Sequence, residues 1–137
     1  MKDIEAFALA LLNSATCAHL QHWQTRSYAN HKALGKYYEA IPDLVDRLVE
    51  SYMGRYGPLG EFEEEFEIDK DPVRYFKALQ KYVDENRKHL PDDSELQNTI
   101  DEILDQIDSL LYKLLASFPI SELSTELTIA SISTGFI

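Results

Sequence analysis

The chain reads as an all-α protein: a four-helix bundle with a crossover connection between helices two and three and a non-helical C-terminal tail. Three observations carry that reading. Apolar residues recur three and four apart in four separate stretches, the spacing that gathers them on one helix face. Gly54, Gly57-Pro58, Pro91 and Pro119 punctuate those stretches, where helices tend to stop. The gap between the second and third stretches is about sixteen residues, just enough to cross the length of a bundle.

Helix one is expected over 2–26, with Ile4, Ala8, Leu11, Ala15, Ala18 and His22 as one stripe. Its small residues invite close approach by another helix, and Asp3 and Glu5 suit the positive end of its dipole. Ser27 or Asn30 can cap helix two, which runs to about Met53 with Leu34, Tyr38, Ile41, Val45, Leu48 and Tyr52 inward. Pro42 lies inside it and predicts a kink. From Leu59 to Lys70 the chain alternates acids with Phe62, Phe66 and Ile68, which suits a connection containing at most one helical turn. Asp71-Pro72 opens helix three, with Phe76, Leu79 and Val83 inward, as far as His89. After Pro91, one of Asp92, Asp93 or Ser94 caps helix four, whose stripe is Leu96, Ile100, Ile103, Ile107, Leu110 and Leu114. Residues 1–117 thus form the bundle. Residues 118–137, rich in Ser, Thr and Ile, form the tail, either within that domain or as an arm onto a neighbour.

A length of 137 residues suits one domain with a real core. The lone cysteine, Cys17, allows no internal disulfide, so a reducing, cytoplasmic setting is expected. The N-terminal stretch carries acids where a signal peptide wants bases, and nothing approaches the length of a membrane span. The formal charge of −11 argues against nucleic acid, whose phosphates need clustered Lys and Arg. It fits cation binding, a basic partner or plain solubility.

Chemistry concentrates between His19 and Glu50, which hold three of the four histidines and the single tryptophan. On helix two, His31, Pro42, Asp46 and Glu50 fall on one flank beside the apolar stripe. Asp46 and Glu50 are four apart, so both carboxylates can reach one cation. Carboxylates joined by imidazoles suit iron, manganese or zinc. Plainer readings stand beside this one. The acid pair can be a solvated face, His22 a core histidine, His19 a surface residue and Trp23 a core anchor. Glu85 and His89 can simply end helix three.

The run His19-Leu20-Gln21-His22-Trp23-Gln24-Thr25-Arg26, followed by His31, Asp46 and Glu50, resembles the N-terminal half of the Dps family. These are ferritin-like mini-shells that oxidise and store iron. The family shows H-x-x-H-W and then a basic residue at the end of its first helix. A ligand histidine opens its second helix, and D-x-x-x-E follows fifteen residues later; here His31 to Asp46 is fifteen and Asp46 to Glu50 is four. The resemblance covers roughly residues 9–54. It implies a ferritin-like bundle in a homo-oligomer, at least a dimer and up to a shell. It also implies Fe as cofactor, with Zn or Mn as alternatives. His22 and His31 would be ligands from one subunit, Asp46 and Glu50 ligands from its two-fold partner, and Trp23 a catalytic neighbour of the metal that takes up oxidising equivalents. The chain departs from the family in having three fewer residues between the ligand histidines, and in Gly35 where an acid often stands. Those departures fit the alternative, a non-catalytic oligomer or binding adaptor of the same fold that has lost its metal.

Overall fold

The computed structural model describes residues 3–63 and 67–116. Four helices account for most of them: α1 (Asp3–Gln24), α2 (Tyr28–Tyr56), α3 (Pro72–Asn86) and α4 (Ser94–Ala116). A single 3-10 turn, Arg87–His89, follows α3. None of these helices is long and apolar enough to cross a membrane. The expected C-terminal tail lies outside the described residues.

Local chemistry sets the helix ends. Ser27 caps α2 by accepting from the Asn30 N–H at 3.2 Å. Asp71 caps α3 by accepting from Val73 and Arg74, with Pro72 opening the first turn. Gly57 closes α2 at φ +94°, donating to the Met53 carbonyl; that positive φ is where glycine is favoured. One expectation about α2 needs correction: Gly54 does not stop it. Pro42 lies inside the helix, as expected. It removes the N–H that the Tyr38 carbonyl would otherwise accept, but the flanking turns are held by buried Ile41, Val45 and Leu48.

Around the bundle, α1 packs on α2, α2 on α4, α4 on α3, and α3 on α1. Side-chain pairs fix the directions. Arg47 meets Glu102 while Arg55 meets Glu95, so α2 and α4 are antiparallel. Arg87 bonds Gln97 while Gln80 bonds Asp108, so α3 and α4 are antiparallel too. The connection after α2 travels beside α1: Gly60 donates to Glu5 at 2.5 Å, Asn13 donates to the Glu67 carbonyl, and Gln21 donates to the Asp69 carbonyl. Helix α3 therefore begins near the end of α1 and runs back along it, with Tyr82 stacked on Phe7.

This route explains why the stripe on α1 is broader than the sequence suggests. Its bundle side buries Ile4, Phe7, Ala8, Leu11 and Ala18, and buried Glu5, Ser14, Cys17 and Gln21 join them. Three of those polar groups serve the connection; Ser14 serves the core. Its hydroxyl donates to the Leu11 carbonyl, so the buried Tyr37 hydroxyl must donate to Ser14 Oγ, at 2.8 Å. Phe62 and Ile68 of the connection are about half exposed. Polar bonds to α1 hold the connection in their place. The stripe of α4 is buried at all six expected positions, each such side chain worth about 1.5–3 kcal/mol.

Candidate functional site

The α1–α2 turn brings the sequence-chosen histidines together. Three residues, Thr25 to Ser27, separate the helices, so the last turn of α1 faces the first turns of α2. The His22 and His31 rings stack there with centroids 3.6 Å apart and planes 18° from parallel. Their bonds are reciprocal. His22 Nδ1 lies 2.5 Å from the His31 carbonyl, and His31 Nδ1 lies 2.8 Å from the His22 carbonyl.

A carbonyl oxygen only accepts, so both Nδ1 atoms must carry the proton. In the neutral form of each ring the lone pair then lies on Nε2, the tautomer in which a histidine binds a metal. The same bonds also have a structural effect. The His22 carbonyl lies in the last turn of α1, where intrahelical donors run out, and His31 supplies the missing one.

Gly35 makes room for this pair. A Cβ built there would sit 3.2 Å from His22 Cε1 and 3.3 Å from Nδ1, closer than side chains normally tolerate. At this position the resemblance leads one to look for an acid, and the packing shows why none fits: the imidazole occupies that space.

Further aromatic groups surround the pair. His19 stacks on Tyr38 at 4.0 Å and packs against Trp23 at 4.5 Å. Tyr38 meets His22 edge-on, and Tyr28 lies beside His31. Trp23 is 67% exposed and Tyr28 73%, so the cluster opens to the surface and Trp23 is no core anchor. The sequence reading placed Tyr38 on the core stripe and passed over Tyr28. The signal for Tyr38 was its spacing, three residues after Gly35 and seven after His31, which sets it on the histidine side.

Asp46 and Glu50 do not join this cluster. Both are exposed on α2, and the fifteen residues from His31 to Asp46 span roughly 22 Å at 1.5 Å per residue. One chain therefore cannot hold a cation between His31 and the acid pair. No group of three His, Cys, Asp or Glu among the described residues could hold a metal ion. Among the described residues of one chain, the pair offers two imidazole nitrogens.

Comparison with known proteins gives membership without function. Residues 22–114 match a family of unknown function (DUF5856), and the chain belongs to it. The match takes in His22, His31, Asp46, Glu50, the whole of α2 and α3, and α4 as far as Leu114. The chain is also 32% identical over 92 residues, 62% of its length, to the uncharacterized 14.6 kDa protein in the mobD-ri intergenic region of Enterobacteria phage T4. It spans 66% of the length of that curated relative. No solved structure matches it.

Proposed function

We propose that the protein is a ferritin-like, Dps-like bundle that binds a divalent transition metal, iron by the resemblance, between His22 and His31 of one chain and Asp46 and Glu50 of a second. The observation that carries this is the pair of Nδ1–H donors tied to carbonyls. It fixes two tautomers and leaves two Nε2 lone pairs at the end of α1. The helix order α1, α2, α4, α3 and a connection that follows α1 support the ferritin-like reading, because an up-down-down-up bundle needs that return. The exposed acid pair, four apart on the same helix, is what a partner chain would offer.

Two nitrogens and two carboxylates make a mixed donor set that leaves coordination positions open. Iron held there would supply redox chemistry. The chain's own part is to orient two imidazoles and to present two carboxylates. Trp23, packed on His19, lies on the same surface.

One observation favours the alternative, a non-catalytic oligomer or adaptor. The histidine bonds already complete the end of α1, so they have a structural use without metal. Thermal unfolding separates the two readings. A metal that binds only the folded protein stabilises it by about 2.7 kcal/mol at a hundredfold excess over its dissociation constant. Fe(II) without air, or Zn(II), should raise Tm. Asp46→Ala with Glu50→Ala should abolish the rise at unchanged helix content, whereas Glu85→Ala with His89→Ala should keep it. Absence of any shift in the wild type would leave the histidines as a structural staple alone.

A further inference from the structure

At the end of the bundle where α2 begins and α4 finishes, the two helices part to leave a groove of about 510 Å³. Small ligand sites span about 300–1,000 Å³. Ala29 and Ala33 of α2, with Tyr112 and Ala116 of α4, give it an apolar floor and wall. Three lysines rim it: Lys32 and Lys36 one turn apart on α2, and Lys113 on α4.

The charge balance is unusual for this chain. Acids outnumber bases 24 to 13, yet these three bases gather around apolar surface, and none of them forms an ion pair among the described residues. Arg47, Arg55, Arg74 and Arg87, by contrast, each meet a carboxylate. Lys32 places its ammonium 5.7 Å from the Tyr28 ring centre, which leaves Lys36 and Lys113 as the facing pair. Lys113 is lowered from the ordinary lysine value, first by burial and then by the positive charge of Lys36. Two ammonium groups lining one groove repel each other. An anion between them would remove the repulsion and gain two charge-assisted bonds.

We propose that this groove binds an amphipathic carboxylate, with the headgroup between Lys36 and Lys113 and the apolar chain along Ala29, Ala33, Tyr112 and Ala116. Both halves of the ligand follow from the lining. A bare anion would leave the alanine and tyrosine surface wet, and an uncharged or cationic chain would leave the lysines unpaired. The site is separate from the histidine pair and does not depend on metal.

The test is calorimetric titration of the full chain with decanoate below its micelle concentration, with acetate and decyltrimethylammonium as matched probes. Decanoate should bind saturably, and the other two at least tenfold more weakly. Lys36→Gln with Lys113→Gln should weaken decanoate at least tenfold. Ala116→Trp, at an exposed position that fills the groove's rim, should do the same with the lysines intact. Circular dichroism of both variants should match the wild type. Saturable acetate binding of equal strength would overturn the apolar half of the site. Equal binding of the cationic probe would overturn the headgroup half. No decanoate binding, or binding that both variants retain, would overturn the proposal.

Discussion

The missing methyl group of Gly35 has a measurable consequence. Glycine inside a helix costs about 0.5–1 kcal/mol relative to alanine, so Gly35→Ala would ordinarily stabilise α2. Here the new Cβ would press on the His22 ring, which is fixed by stacking on His31 and by its own hydrogen bond to the His31 carbonyl. We expect Gly35→Ala to gain nothing or to destabilise in the wild type. In a His22→Ala background it should recover about 0.5–1 kcal/mol. Urea unfolding of the four proteins gives the coupling directly, and an equal gain in both backgrounds would disprove the packing argument. Residue types and spacing pointed to His22 and His31 from the sequence. Their mutual bonding did not show there, because it depends on where the three-residue turn aims two backbone carbonyls. Tyr37 also keeps the stripe's spacing, three after Leu34 and four before Ile41, but nothing in the spacing shows that the Ser14 hydroxyl satisfies its own and so permits its burial.

At the scale of elements, the connection into α3 is held chiefly at Asp69. This residue is 7% exposed, and its carboxylate accepts two hydrogen bonds from Arg74, at 2.7 and 2.9 Å, and one from the Asp71 N–H. Its backbone carbonyl accepts from Gln21 of α1. The Arg74 bonds, ahead of the backbone bond, hold its carboxyl below the ordinary value of 3.8. A depressed folded pKa means the unfolded chain takes up its proton first as pH falls. The contribution is therefore complete above that ordinary value and is lost as pH drops through the folded one. Arg74 is 37% exposed, so solvent screens the pair, and Arg74→Met should cost about 1 kcal/mol at neutral pH. The variant should also lose part of the acid-side slope in urea-derived stability. An unchanged slope would show that Asp69 draws its low pKa from elsewhere. Helix number and the faces of α3 and α4 were legible because their stripes face a single partner layer. The face of α1 was harder to read. Its second side packs under a connection through Glu5, Asn13, Cys17 and Gln21, and polar groups at such positions look like solvated surface in a sequence.

For the whole molecule, the decisive question is whether the two halves of the proposed metal site belong to different chains. Helix α2 keeps them roughly 22 Å apart within one chain by its rise alone, so no side-chain motion can join them. If they act together, a second chain must lie across the α1–α2 face with α2 reversed, the isologous arrangement of a two-fold dimer. The wild type should then sediment as at least a dimer at micromolar concentration. Chain mixing tests the geometry more sharply. One variant, His22→Ala with His31→Ala, keeps only the acids; the other, Asp46→Ala with Glu50→Ala, keeps only the imidazoles. Neither alone should show the Fe(II)- or Zn(II)-dependent rise in Tm. After the two are mixed and allowed to exchange, each mixed dimer carries one complete site and one empty one. Part of the rise should return, and it should grow with the fraction of mixed dimers. A site built within one chain gives no recovery on mixing, because each variant would lack a ligand in its own chain. A monomeric wild type, or a mixture as unresponsive as its components, would remove the interfacial site and leave the histidine pair as a helix-end staple.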